Sequence, residues 1–255
     1  MGLAYAQNLG LRGYEIIILA RNQERLNNAL KLLDGQGITA YGISCDTTSE
    51  QQLHEAVSRV KSFTHHLDFL ILNAGEITPG LLTDFTSAKD LKKDIEIDVW
   101  GTILTAWFFI PLLQEGSKIL LMSSGFGLVG AAGYSTYCAA KAGIINFGHS
   151  LRREMLVNKI DVYVACPGDV DTPQLTGELA DQPQWMKEQS SPRKALPANI
   201  VAERILNRCK GNSKLIILPD GGVRLLNLVL SVFPERWTNR LVDHAFPRPR
   251  RKKIN

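Results

Sequence analysis

The sequence predicts an α/β fold in which a parallel β-sheet is wound on both faces by helices. Short apolar runs alternate along the chain with longer segments of helical spacing, as repeated strand–helix units require. The apolar runs are continuous and do not alternate with polar residues, which is typical of strands buried on both faces. The chain has 255 residues, 45% of them hydrophobic, so it is long enough to bury a continuous core.

The predicted strands are short runs rich in β-branched and long apolar residues. They cover residues 14–19, 38–44, 67–72, 118–122, 161–165 and 214–218. Helices are predicted where apolar residues recur on one face, at residues 3–11, 22–33, 50–63, 91–113 and 137–157. The polar, proline-containing segment 167–197 is expected to be a long loop that acts as a lid.

The pattern changes near the end of the chain. A turn is predicted at 219–222, followed by an apolar helix at 225–233 and an amphipathic helix at 235–246. We therefore expect one domain at residues 1–220 and a helical extension at 221–255. The extension ends in five positive charges, at Arg248, Arg250, Arg251, Lys252 and Lys253. This tail is either a solvated chain end or a contact with an anionic membrane surface.

Composition excludes several functional classes. The formal net charge is +4, and the basic tail accounts for it, so no basic face for nucleic acid is expected. The four cysteines form no Cys-x-x-Cys pair and no histidines have metal-ligand spacing, which predicts buried thiols, a reducing compartment and no metal site. We find no secretory signal pattern and expect no run long enough to span a bilayer.

Three residues form the strongest candidate for chemistry. Tyr137 and Lys141 lie four positions apart in a predicted helix, so their side chains share one face. An ammonium near a phenol lowers the pKa of the phenol and makes it a usable acid and base. Ser124 follows the strand 118–122, at the sheet edge where active-site loops lie, and its hydroxyl suits a carbonyl oxygen. Taken alone, a Tyr-x-x-x-Lys pair is also compatible with an ordinary surface contact.

Further motifs accompany these residues in a fixed order. They are Asp46 after the run 38–44, Asn73-Ala74-Gly75 directly after the run 67–72, Ser123-Ser124-Gly125, Tyr137-Cys138-Ala139-Ala140-Lys141, and Pro167-Gly168 followed by Thr172. This order resembles the short-chain dehydrogenase/reductase family from Gly2 to about residue 218. The resemblance implies a Rossmann-type fold and hydride transfer between a nicotinamide cofactor and a carbonyl or alcohol.

The resemblance also implies a role for each motif. Tyr137 would donate a proton to the carbonyl oxygen, Lys141 would lower its pKa and bind the nicotinamide ribose, and Ser124 would polarise the carbonyl. The remaining implied cofactor contacts are Asp46 at the adenine, Asn73, Ala74 and Gly75 along the cofactor, and Pro167, Gly168 and Thr172 at the nicotinamide carboxamide.

Two positions depart from the family pattern. Asp98, in Asp98-Val99-Trp100-Gly101, stands where the family usually has a catalytic asparagine, so it is either a relay residue or a benign substitution. Gly2 resembles the last glycine of the phosphate-binding loop, and we expect the strand before it to be missing from the middle of the sheet. A start codon assigned too late, or a truncated inactive product, would explain this, and we expect weak NADPH binding by the chain as printed.

The residue after the first predicted strand favours NADP(H) over NAD(H). An acid at this position would hold the 2′-hydroxyl of NAD, whereas the chain reads Ala20-Arg21-Asn22. The guanidinium of Arg21 suits a 2′-phosphate, although an arginine that only closes a turn is the alternative. NADPH in turn favours the reductive direction.

The variable segments indicate the substrate. The segment 167–173, the ending of the first predicted strand and the apolar extension resemble those of 3-ketodihydrosphingosine reductases, which reduce a long-chain ketone at the cytosolic face of a membrane. The run 225–233 would then contact the membrane surface, or else pack on the domain or a partner subunit. The alternatives are a soluble reductase of small ketones and an inactive binding scaffold. We expect a homo-oligomer in the cytoplasm, or at the endoplasmic reticulum in a eukaryote.

Overall fold

The strands of the structure follow the predicted order. A computed structural model of the chain describes residues 1–189, 194–210 and 215–246. Its strands are β1 (Ile16–Ala20), β2 (Ala40–Ser44), β3 (Leu67–Leu72), β4 (Leu113–Met122), β5 (Asp161–Ala165), β6 (Val170–Asp171), β7 (Leu196–Pro197) and β8 (Ile216–Ile217). The predicted bounds of β3 and β5 are confirmed, and β4 begins five residues earlier than the predicted 118. Lys214, the predicted start of β8, lies outside the described residues.

Several of the helices begin at a residue whose side chain caps them. They are α1 (Gly2–Gly10), α2 (Gln23–Asp34), α3 (Glu50–Lys61), α4 (Ala88–Asp94), α5 (Gly101–Phe109), α6 (Ser135–Met155), α7 (Pro173–Asp181), α8 (Gln184–Gln189), α9 (Ala198–Leu206), α10 (Gly221–Val232) and α11 (Glu235–Ala245). The side chains of Asn22, Ser49 and Thr172 accept a hydrogen bond from the first turns of α2, α3 and α7.

All strand pairs are parallel, and the sheet is covered on both faces. Four strands pair in the order β3–β4–β5–β8, and β1 pairs with β2. Alternate residues of β4 enter opposite cores: Leu121 packs in the core that contains residues of α3, α5 and α6, and Leu120 packs in the core that contains residues of α1 and α9. The predicted doubly wound sheet is confirmed. Within the described residues no strand ladder joins β1 to β3.

Two predicted elements were wrong in detail. The segment 167–197 is not a continuous loop, because β6 pairs with β7 and α7 and α8 lie between them. The predicted helix 91–113 is interrupted by a π-helical segment, Ile95–Trp100, that joins α4 to α5. The helical stretch Ala88–Leu112 is also long and apolar enough to cross a membrane by length and composition, contrary to expectation, although half of its apolar window is buried in the fold.

The C-terminal extension forms two helices, as predicted, and contacts the loops that follow β4 and β5. The Asp220 carboxylate caps α10 through Val223 N at 2.8 Å and accepts a hydrogen bond from Gly168 N at 2.9 Å. At the other end of the extension, the Phe246 ring lies 5.6 Å from the ring of Phe126. The predicted basic tail, from Arg248 to Lys253, lies outside the described residues.

Candidate active site

A cavity of about 120 Å³ lies at the carboxyl ends of β3, β4 and β5. The segments that follow these strands supply much of its lining, as expected at the carboxyl edge of an open parallel sheet. Of the predicted site residues it is lined by Asn73, Gly75, Ser124, Tyr137, Lys141, Pro167, Gly168 and Thr172. The structure therefore brings Ser124, Tyr137 and Lys141 together with most of the predicted cofactor contacts, whereas Asp98 lies outside the lining and contacts Lys141.

Ser124 and Tyr137 face the cavity from the loop after β4 and from the first turn of α6. Tyr137 is buried, whereas Ser124 is half-buried and accepts a hydrogen bond from Phe126 N at 3.2 Å. Burial and the negative charge of Asp98 raise the pKa of the Tyr137 phenol, and the Ser124 hydroxyl opposes this rise. Tyr137 is consequently a neutral phenol that can give its proton to a substrate oxygen.

Lys141 is held in place by contacts of its side chain and of its backbone. Its Nζ lies 2.9 Å from Asp98 Oδ2 and donates a hydrogen bond to the carbonyl of Met122 at 3.2 Å. Its backbone carbonyl accepts a hydrogen bond from the Ser123 hydroxyl at 2.7 Å. Both charged side chains are buried, so the ion pair is shielded from solvent.

The expectation of a lowered pKa at Tyr137 was wrong, because the net direction of the shift is upward. Lys141 Nζ lies 5.4 Å from the centre of the Tyr137 ring, but the carboxylate of Asp98 compensates its charge at shorter range. Desolvation of the phenol dominates, so its pKa rises. Burial raises the pKa of Asp98 itself. The Lys141 ammonium and the Glu76 N–H, which lies 2.7 Å from Asp98 Oδ1, partly offset this rise.

The other predicted cofactor residues lie outside the cavity lining. Arg21 at the end of β1 is half exposed and pairs with Glu76 at 3.4 Å. Asp46 accepts hydrogen bonds from the backbone and hydroxyl of Thr48, and Ala74 is exposed. Gly2 approaches the cavity from α1, since a Cβ there would lie 3.2 Å from Asn73 Nδ2. No group of histidine, cysteine or acidic side chains in the described part of the chain has metal-binding geometry.

Sequence reasoning missed a buried polar cluster beside Tyr137. Glu178 lines the cavity, and its Oε1 accepts a hydrogen bond from the Tyr134 hydroxyl at 2.6 Å. Gln182 Nε2 donates to the same hydroxyl at 2.7 Å. The available signal was the spacing of Glu178 and Gln182, which places both on one helix face. This spacing was not recognised because the segment 167–197 was expected to be a loop.

The doubly wound sheet and the Ser–Tyr–Lys set at its carboxyl edge define an oxidoreductase of the Rossmann type. Residues 1–183 match the family model described as short chain dehydrogenase. The chain belongs to the short-chain dehydrogenase family.

Curated relatives of the chain carry several reductase names. The human 3-oxoacyl-acyl-carrier-protein reductase is 30% identical over 71% of this chain and 76% of its own length. Carbonyl reductase family member 4 of Danio rerio is 28% identical over 89% of this chain and 94% of its own. The 3-ketodihydrosphingosine reductase of Dictyostelium discoideum is 31% identical over 66% of this chain but 52% of its own.

A solved structure shares the fold over most of both chains. An actinorhodin polyketide ketoreductase crystallised with NADPH has a TM-score of 0.76, with 22% identity over 87% of this chain and 92% of that chain. At this identity the likeness concerns the fold alone.

Proposed function

We propose that the chain reduces a ketone to an alcohol with NADPH, and that the substrate is a long-chain ketone of the 3-ketosphinganine class. The observation that carries the reductase proposal is the cavity in which Ser124, Tyr137 and Lys141 meet the loops after β3 and β5. The relatives named 3-oxoacyl-acyl-carrier-protein reductase and carbonyl reductase support the same reaction class.

The residues around the cavity fit a nicotinamide cofactor. A Cβ at Gly75 would lie 3.1 Å from both Asp98 Oδ1 and Lys141 Nζ, so a bare glycine backbone lets the loop after β3 approach the catalytic lysine closely. Asn73 and Gly75 would hold one side of the cofactor, and Pro167, Gly168 and Thr172 the other. When bound, the cofactor supplies the hydride.

The chain's own residues perform the proton chemistry. Ser124 Oγ donates a hydrogen bond to the carbonyl oxygen and polarises it. Tyr137 Oη gives its proton to that oxygen as negative charge develops there. Lys141, held by Asp98, lies beside this phenol, and burial makes the phenol lose its proton less readily than it would in water.

The choice of NADP(H) is supported by Arg21. Its guanidinium lies at the carboxyl end of β1 and already holds an anionic partner, the carboxylate of Glu76. A 2′-phosphate carries more charge and more acceptor oxygens than this carboxylate and suits the guanidinium better.

The lipid character of the substrate is supported by the C-terminal extension. Leu225, Leu228 and Val232 lie on one face of α10, and each is more than half exposed. On α11, Trp237 and Leu241 are exposed to a similar degree. The extension also contacts the site through Phe246, so we propose that this apolar surface lies on a membrane from which the substrate enters.

A soluble reductase of small ketones is the second candidate. The similarity to carbonyl reductase family member 4 favours it, since that match covers nearly the whole of both chains. The apolar extension would then pack against a partner subunit. We further propose a homo-oligomer through α5 and α6, which is supported by the exposed Trp107 on α5 and the exposed Trp100 directly before it.

Oxidation of NADPH by the full chain tests these proposals. The protein receives 3-ketosphinganine in mixed micelles or, in a parallel assay, a panel of small ketones, and Tyr137→Phe serves as the control. Turnover of the lipid ketone that disappears in the control supports the first candidate. Turnover of small ketones alone supports the second, and NADPH binding without any turnover contradicts both.

A further inference from the structure

Two cations from distant parts of the chain meet on one carboxylate at the edge of the site. Arg21 Nη2 lies 3.4 Å from Glu76 Oε2, and the ammonium of Lys93 on α4 pairs with the other carboxylate oxygen, Oε1. Arg21 directly follows β1, and Glu76 directly follows Gly75, which lines the cavity. The proton chemistry of the site involves neither the Glu76 carboxylate nor Lys93, so their role lies elsewhere.

This cluster lies at the carboxyl edge of the sheet, where the chain passes from one strand ladder to the other. The strand β1 pairs with β2, and β3 begins the ladder that continues through β4, β5 and β8. In open α/β sheets a dinucleotide lies outside the carboxyl ends of the strands, in the crevice at such a switch point. The contact between Arg21 and Glu76 joins the carboxyl ends of β1 and β3, so it crosses the crevice in which the cofactor would lie.

The Glu76 carboxylate can move away without loss of the attachment that its backbone provides. Glu76 N donates to Asp98 Oδ1 at 2.7 Å, and this hydrogen bond does not involve the side chain. The side chains of Arg21 and Lys93 are 54% and 43% exposed, so water stabilises both charges when the carboxylate leaves. Ion pairs this exposed contribute little free energy, and an anion of higher charge can therefore replace the carboxylate.

We propose that Arg21 and Lys93 together bind the 2′-phosphate of NADPH, and that Glu76 occupies this phosphate site in the free protein as an internal competitor. Each Glu76 oxygen takes one cation, and a phosphate offers more acceptor oxygens and more negative charge to the same two groups. The inference rests on the proposed use of NADPH through Arg21. It adds a second cation, Lys93, and a carboxylate that NADPH must displace.

Titration of the two cofactors tests the inference without turnover. NADPH and NADH are added to the full chain at low ionic strength, where charge contacts are least screened, and binding is followed by the fluorescence of the reduced nicotinamide. The variants are Glu76→Gln and Lys93→Ala. Their matched controls, Glu96→Gln and Lys92→Ala, remove the same charges from a neighbouring ion pair, in which Lys92 Nζ lies 3.3 Å from Glu96 Oε1.

Glu76→Gln should bind NADPH about 3- to 10-fold more tightly than the wild type, the range expected when one or two half-exposed ion pairs no longer compete. Its affinity for NADH should change little, because NADH has no 2′-phosphate. Lys93→Ala should weaken NADPH binding about 3- to 10-fold and leave NADH binding unchanged. A gain in affinity does not arise from a damaged fold, and unchanged NADH binding shows that the crevice is intact.

The control variants should bind both cofactors as the wild type does. An unchanged affinity of Glu76→Gln or Lys93→Ala for NADPH, an equal change for both cofactors, or the same effect from the controls overturns the inference. Ketone reduction, measured on the same samples, judges the reductase proposal independently of these affinities.

Discussion

Replacement of Asp98 by asparagine should move the pH dependence of ketone reduction. The carboxylate of Asp98 is fully buried, lies 2.9 Å from Lys141 Nζ and raises the pKa of Tyr137. Asparagine removes this charge but keeps an oxygen for the Glu76 N–H, which donates to Asp98 at 2.7 Å. In the variant no carboxylate balances the Lys141 ammonium, so its positive charge acts on the Tyr137 phenol.

The size of the effect follows from the distance between that ammonium and the phenol. A unit charge 5.4 Å from the Tyr137 ring changes its ionisation free energy by about 3 kcal/mol at an effective dielectric constant of about 20. This energy corresponds to about two pH units. Reduction needs the protonated phenol, so activity is lost as the pH rises through the pKa of Tyr137. The variant lowers this pKa, and the alkaline limit of kcat/KM should fall by up to about two pH units.

The assay is kcat/KM for NADPH-dependent ketone reduction across the neutral and alkaline range. Glu96→Gln is the matched control, because Glu96 lies on the same helical segment but is only half-buried and pairs with Lys92 at 3.3 Å. Its profile should follow the wild type. An alkaline limit that stays in place or rises in Asp98→Asn, in protein that still binds NADPH, would refute the proposed charge compensation.

Three further substitutions test separate parts of the site and the core. Tyr137→Phe should reduce kcat by about 100- to 10,000-fold with little change in NADPH binding, and a smaller loss in stopped-flow turnover would argue against a proton-donor role. Arg21→Ala should weaken NADPH binding about tenfold without affecting NADH, as titrated by cofactor fluorescence, and an equal loss for both cofactors would contradict the phosphate contact. Gly148→Ala places a methyl group against Val164 and should lower the free energy of unfolding in urea by about 1–3 kcal/mol, unlike Gly177→Ala, which meets no neighbouring atom.

The sequence predicted the parts of the fold that depend on local pattern. The bounds of β3 and β5 are those of their continuous apolar runs, because strands buried on both faces leave little room for polar residues. Ser124, Tyr137 and Lys141 were predicted together because helical spacing and the end of a strand fix their relative positions.

The remaining features depend on contacts between distant segments. The sequence does not indicate that Asp98 compensates Lys141, because 43 residues separate them and a π-helical segment sets the direction of Asp98. The sequence did not indicate α7 and α8 because both are short and Pro183 lies between them. Short helices depend on tertiary packing more than on helix propensity, and Met186 of α8 is fully buried. Glu178 contacts Tyr134, 44 residues away in the chain, which no local pattern indicates.

The catalytic helix is held in place by two buried carboxylates that act in parallel. Asp94 accepts hydrogen bonds from Thr136 at 2.7 Å and from Thr78 at 3.0 Å, so it joins α6 to the segment after β3.

Asp98 makes the same connection one turn further along, between Lys141 and the backbone of Glu76. Tyr137 lies in the chain between these two attachment points, and both carboxylates are buried and hydrogen-bonded. Two attachments fix the rotation of α6 as well as its distance from the loop, which one attachment would not do. The phenol and the residues after β3 therefore keep their relative positions before any ligand binds, as preorganised proton transfer requires.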